Sequence, residues 1–211
     1  MKIYDISVPI KNSMPIWPGD PSVNNQFVNS IDEGDVANVT AINMSAHTGT
    51  HIDAPKHFLK KGIAIEELDL DLLIGTATVV QVPNSCKLIE KNTLISLGIT
   101  KWPKRVLFRT RNSDLKIFED DKFHEDFVAI SIDAANYLID HDVILIGIDY
   151  LSIAPYDNPN EVHVELLKNN TLILEGLNLI NVKPGNYELI ALPILLWGAD
   201  GAPARIILIE K

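Results

Sequence analysis

Four side chains able to hold a metal ion, His47, His51, Asp53 and His57, fall within eleven residues, and their spacing excludes most ways of folding the segment. A helix would bring positions 0 and +4 together, but at about 100° per residue it turns position +6 roughly 240° away from the first. Gly49, Pro55 and the β-branched Thr48, Thr50 and Ile52 also disfavour a helix. On a strand, all four positions share parity and point to one face. A straight strand fails as well. At ~3.3 Å per residue, four positions separate two Cα atoms by about 13 Å, too far to share an ion. The segment must be extended and bent, and Gly49 is the residue that permits the bend. The spacing therefore predicts a kink at 48–50 that folds His47 toward His51 and Asp53. The competing reading is a solvated polar loop with incidental histidines, which the scarcity of His elsewhere (His124, His141 and His163) disfavours.

Mixed imidazole and carboxylate donors suit zinc or manganese. Such a set leaves an ion incompletely held, so further ligands must come from elsewhere. His163 and Glu175 are the candidates. Glu175 closes the apolar run 171–174 and is followed by Gly176. A carboxylate ending a buried strand is costly unless it is paired or metal-bound. Taken singly, each has a structural reading: a capping or surface His, a salt-bridged Glu. Taken together, His47, His51, Asp53, His163 and Glu175 could hold two divalent ions with a bridging carboxylate.

The rest of the chain frames this cluster. Its 211 residues, 46% of them hydrophobic, predict one domain over 1–211 with a full core. A net charge of −10 argues against nucleic acid or an anionic membrane as partner. No apolar run is long enough to span a bilayer, and the first residues lack a signal-peptide core. The single Cys86 excludes an intrachain disulfide and suits a reducing cytoplasm. Apolar, β-branched runs at 76–82, 105–110, 128–132, 143–148, 171–174, 188–192 and 204–209 read as strands, most of them covered on both faces. Helices are expected over 134–141 behind an Asp133 N-cap, over 93–97 behind Asn92 and before Gly98, and from Pro159 to Lys168. The fold class is α/β, with mixed sheets and few helices. No Gly-rich phosphate motif occurs, so nucleotide binding has no support.

The string His47-x-Gly49-Thr50-His51-x-Asp53-x-Pro55-x-His57 resembles the signature of the cyclase-like metal hydrolases, which include the bacterial kynurenine formamidases (arylformamidases). The resemblance runs over essentially the whole chain. It takes in residues 4–10 and 15–20, Gly147-Ile148-Asp149, His163 with Glu175, and the closing stretch from Asp200 to Arg205. It implies a swivelling β/β/α fold, two metal ions per subunit, zinc first and manganese as the alternative, and a homodimer or higher homo-oligomer. Carried over position by position, His47, His51 and Asp53 hold one ion, and Asp53, His163 and Glu175 the second. Asp53 and Glu175 bridge, His57 is the acid/base, and Trp17 lines the substrate pocket.

Divalent ions lower the pKa of water from about 15.7 toward ~7, so no Ser or Cys nucleophile is needed. His57 then suits proton transfer to a departing amine; the alternative is a further metal ligand. Trp17, from the residues alone, fits the core better than a pocket wall, and the resemblance moves it to the pocket. Trp102 and Trp197 read as packing residues, and His124 and His141 as solvated. The expected activity is hydrolysis of a small amide, N-formylkynurenine to kynurenine and formate on the tryptophan catabolic route. The alternatives are an isatin-like lactam as substrate, or a non-catalytic metal- or ligand-binding module.

Overall fold

The computed structural model describes residues 1–210. The chain begins with β1 (Lys2–Asp5), a hairpin of β2 (Asn24–Asn29) and β3 (Val39–Asn43), and the short β4 (His51–Asp53). Next come α1 (Leu70–Leu73), β5 (Ile74–Gln81), β6 (Leu88–Ile89), α2 (Lys91–Ser96), β7 (Arg105–Arg109) and α3 (Arg111–Asp114). The second half contains β8 (Ala129–Ile130), α4 (Ile132–Asp140), β9 (Leu145–Ile148), α5 (Pro159–Lys168), β10 (Leu172–Glu175), β11 (Gly185–Pro193) and β12 (Gly201–Glu210).

Eight strands form one sheet in the order β1-β12-β11-β5-β7-β9-β10-β4, and β4 pairs with β12 as well as β10. That second pairing closes the sheet into a barrel whose seam is the three-residue β4. One side of the barrel (β5, β7, β9, β10) is parallel and the other antiparallel. β2 with β3, and β6 with β8, make small separate sheets.

The parallel strands are nearly continuous in apolar residues because both faces are buried. Val79, Leu107, Leu145, Leu172 and Leu174 point into the barrel. Val80, Val106, Phe108, Ile146 and Ile173 point outward against Leu138 of α4 and Val162 and Leu166 of α5. Asp149, just past β9, is fully buried and accepts hydrogen bonds from the backbone N–H and hydroxyl groups of Thr110 and Ser113, tying the end of β7 to β9. β11 and β12 depart from the expectation of two covered faces. Tyr187, Leu189, Ala191, Ile206 and Leu208 point inward, while their neighbours alternate toward solvent.

Several element boundaries also differ from the sequence reading. The strand expected over 128–132 is only Ala129–Ile130, because Ser131 caps α4 by accepting from Ala134 N–H, two positions before the predicted Asp133. Ser131 and Asp133 hydrogen-bond to each other, so Asp133 supports the cap from the first turn. α2 starts behind Glu90 rather than Asn92. No helix among the described residues is long and apolar enough to cross a membrane.

Candidate metal centre

β4 carries His51 and Asp53 on one face, and the two strands that flank it supply the walls. Across β10, Glu175 stands opposite His51 and Ile173 opposite Asp53. Across β12, Gly201 stands opposite Asp53. The bend predicted at 48–50 is present, with Gly49 at φ 65°, a left-handed conformation that glycine adopts without penalty. Next to it, the Thr50 hydroxyl accepts from Val8 N–H at 2.8 Å and donates to the Gly176 carbonyl at 2.5 Å, pinning the bend to the strand that carries Glu175. The turn brings His47 Nδ1 to 2.9 Å from Asp53 Oδ1.

His163 arrives from within α5. Its Nδ1 meets the Pro159 carbonyl one turn back at 2.6 Å, which leaves Nε2 facing Glu175 Oε1 at 3.0 Å and Asp53 Oδ2 at 3.6 Å. His51 is locked in the same way. Nδ1 is 2.9 Å from the Gly49 carbonyl, and Nε2 is 3.2 Å from Glu175 Oε2 and 3.5 Å from Asp53 Oδ1. Metal-binding histidines are oriented by such bonds from the far ring nitrogen. His57 ends a one-turn 3-10 segment, Pro55–His57, and its ring stacks on His47 with centroids 3.8 Å apart. Phe58 stacks in turn on His163.

Asp53 is 0% exposed and His51 1%, so the centre lies below the surface. Within it, His51 Nε2 and Asp53 Oδ2 lack a hydrogen-bond partner. An imidazole nitrogen and a carboxylate oxygen left without hydrogen bonds in a buried site cost free energy unless a cation satisfies them. The spacing fits one. Two ligands on a tetrahedral zinc at about 2.1 Å stand roughly 3.4 Å apart, and the His–carboxylate separations just given span 2.9–3.6 Å. Two donor groups result, His47–Asp53–His57 and His51–Asp53–Glu175, each with its ligand atoms within 4.8 Å of one another. Asp53 belongs to both. The donors fit divalent metal binding.

Electrostatics point the same way. Burial works against charge on His47 and His51, yet their carboxylate partners push the pKa values up to about 10 and about 9. Burial also opposes charge on His163, which Glu175 nonetheless raises. Asp53, though buried, is held well below the ordinary carboxylate range by His47 and His51. Glu175 is lowered less, since burial and the neighbouring Asp53 oppose His163 and His51. The carboxylates thus demand positive charge, which protonated imidazoles supply in the absence of a cation. His57 differs: burial, with help from His47, lowers its pKa.

A cavity of about 160 Å³ lined by Trp17, Asp20, Phe58, Leu151 and Ser152 opens onto the centre, where His47, His57, His163 and Glu175 also line it. Trp17 is wall and packing residue at once, meeting Phe123 and Tyr156 edge to face. A larger cleft of about 480 Å³, lined by Asp5, Ile194 and Arg205, holds none of the candidate ligands. All six predicted polar residues and Trp17 therefore come together. Asp200 and Phe58 join them unanticipated, Asp200 Oδ2 lying 3.3 Å from His47 Nε2 and 3.4 Å from His57 Nδ1. Phe58 had a signal, an aromatic directly after His57; Asp200 had none beyond its place in a familiar closing stretch.

The remaining residues stay apart from the centre. His124 pairs with Asp120, and His141 faces the Tyr137 carbonyl. Cys86 is half-buried, and burial raises its thiol pKa. Trp102 packs in the core as expected, but Trp197 is 91% exposed and packs nothing.

Comparison with known proteins agrees with this geometry. A rice (Oryza sativa subsp. japonica) protein, "Cyclase-like protein 3", is 41% identical over 99% of this chain and 80% of its own length. The "Kynurenine formamidase" of Salinibacter ruber is 37% identical over 99% of this chain and 97% of its own. A solved structure titled "The Structure Of Potential Metal-Dependent Hydrolase With Cyclase Activity" superposes with a TM-score of 0.84 at 34% identity, covering 100% of this chain and 98% of that one. The family model described as "Putative cyclase" matches residues 4–155, and with it the bent His47–His57 segment. The chain belongs to the cyclase family of metal-dependent hydrolases.

Proposed function

We propose that the protein is a binuclear metal-dependent hydrolase of amide C–N bonds, acting on the formamide of N-formylkynurenine. The observation that carries this reading is the buried Asp53 carboxylate shared by two donor groups. Bound divalent ions, zinc first and manganese as the alternative, supply an activated water and polarise the carbonyl. His47, His51 and Asp53 would hold one ion and Asp53, His163 and Glu175 the other, a division that differs from the two donor groups above in placing His51 with His47 and leaving His57 for proton transfer.

His57 is the acid/base. Its lowered pKa keeps it neutral at pH 7 and able to accept a proton from the attacking water. It lines the cavity, so the proton can pass to the departing amine nitrogen. Trp17 and Phe58 supply aromatic walls for a planar aryl group. The exposed run Ile194, Leu195, Leu196 and Trp197 supports a homodimer, since contiguous exposed apolar surface marks an interface. The lone thiol of Cys86 suits a cytoplasmic setting.

The test is hydrolysis of N-formylkynurenine beside isatin, with protein of measured metal content before and after chelation. Metal-dependent cleavage of the formamide is expected. Preference for isatin would move the substrate to a cyclic amide, and metal binding without hydrolysis of either would make the protein a binding module.

A further inference from the structure

The three ligand histidines are not held alike. His51 and His163 are oriented by backbone carbonyls, which no side-chain substitution removes. His47 is oriented by a carboxylate, Asp200, which faces Nε2 while Nδ1 faces Asp53. The same oxygen, Asp200 Oδ2, lies 3.4 Å from His57 Nδ1, and the two rings it contacts are stacked 22° from parallel. One carboxylate oxygen therefore serves two imidazoles with different duties.

Asp200 is in turn fixed by the segment it serves. Its carbonyl accepts from Ala54 N–H at 2.9 Å, and the Ala199 carbonyl accepts from Ile65 N–H at 3.0 Å. The Gly198 carbonyl accepts from Lys56 Nζ at 2.7 Å, and Gly198 N–H donates to Glu66 at 2.8 Å. The next residue is glycine for a steric reason: a Cβ on Gly201 would stand 2.6 Å from His47 Cε1 and 2.9 Å from the Ile52 carbonyl. The backbone at 200–201 thus approaches the His47 ring as closely as the chain allows.

We infer that Asp200 is a positioning residue, which fixes His47 as the Nε2–H tautomer with Nδ1 free for the metal and holds the His57 ring in its stacked orientation. A far-side carboxylate on a ligand histidine fixes its tautomer and raises its basicity. The inference rests on the reading that His47 is a ligand and His57 the acid/base, but its first two measurements need no turnover.

The zinc-loaded protein and its Asp200→Ala and Asp200→Asn variants are compared by chelator competition, by long-range ¹H–¹⁵N spectra of the histidines, and by kcat and KM on the best amide substrate. Asp200→Ala weakens zinc about 10–100-fold and shifts the His47 signals. Asp200→Asn keeps an acceptor oxygen but loses the charge that makes both rings more basic, so zinc affinity falls less than in Asp200→Ala while kcat falls with KM unchanged. If Asp200→Ala fails to fold, the Asn variant still decides through that split. Parental zinc affinity and His47 signals in Asp200→Ala overturn the inference, as does equal loss of affinity in both variants. Unchanged kcat in Asp200→Asn removes His57 from the role. Absence of hydrolysis by the parent would sink the proposed activity and leave the affinity and spectral arms standing.

Discussion

Glu175 and His51 face each other directly across the β4–β10 register, with His51 Nε2 3.2 Å from Glu175 Oε2. The strand pairing that closes the barrel also sets that distance, so metal site and fold share one piece of geometry. Glu175→Gln keeps size and hydrogen bonding but removes charge from the donor group around His51 and His163. Elemental analysis should then show metal content falling below that of the parent, since affinity follows the deprotonated ligand set and Glu175 faces both His51 and His163. Unchanged content would take Glu175 out of the ligand list.

Asp53→Ala should empty both sites, because both donor groups depend on this residue. It also leaves half-buried His47 and buried His51 and His163 short of their shared counter-charge, at a cost of about 3–5 kcal/mol for breaking a buried ion pair. Metal content near background, with a lower denaturant midpoint, is the expected result.

His57→Ala should keep both ions and lower kcat by about 10²–10⁴-fold, the contribution of a lost acid/base group. The result that reverses the assignment is loss of metal, which would make His57 a ligand alongside His47 and Asp53.

His47 and His51 give the metal-free protein a characteristic pH dependence. Their folded pKa values, about 10 and about 9, lie above the ordinary 6.5. The stability they contribute is complete below about pH 6.5 and is lost as pH rises through 9 and 10. Chelated protein should lose thermal stability over that range. The metal-loaded form should not, because its imidazoles bind the ion unprotonated.

Gly49→Ala tests the bend. A Cβ there costs about 1–2 kcal/mol in the left-handed region, and it would meet Val8 Cγ2 at 3.2 Å and Met14 Cε at 3.3 Å. Lower thermal stability together with weaker metal binding is expected, since His47 reaches Asp53 only through this turn.

Much of this was legible in the chain because it is local. The spacing of His47, His51 and Asp53 excludes both regular structures, so the bend at Gly49 follows from geometry. The parallel strands β7 and β9 announce themselves by unbroken apolar runs. What stayed hidden depends on distant partners. Nothing near Asp200 says that its carboxylate meets His47, since a strand pairing brings them together. β4 is too short to show a period of its own. The two-sided burial expected of β11 and β12 failed because the long helices α4 and α5 pack on the parallel side.

The seam at β4 has a consequence for how the protein is made. Thr50 bonds to a partner 126 positions later, and His47 to one 153 positions later. Long loops must close before such contacts return any free energy. A ribosome releasing this chain from its N-terminus therefore exposes the histidine-rich segment long before the strands that shape it emerge. Until residues 201–203 of β12 are free to pair, the early segment is a loose chelator without selectivity. Metal choice is then a property of the finished barrel, and a chain cut short before β12 would carry all five proposed ligands and none of the site.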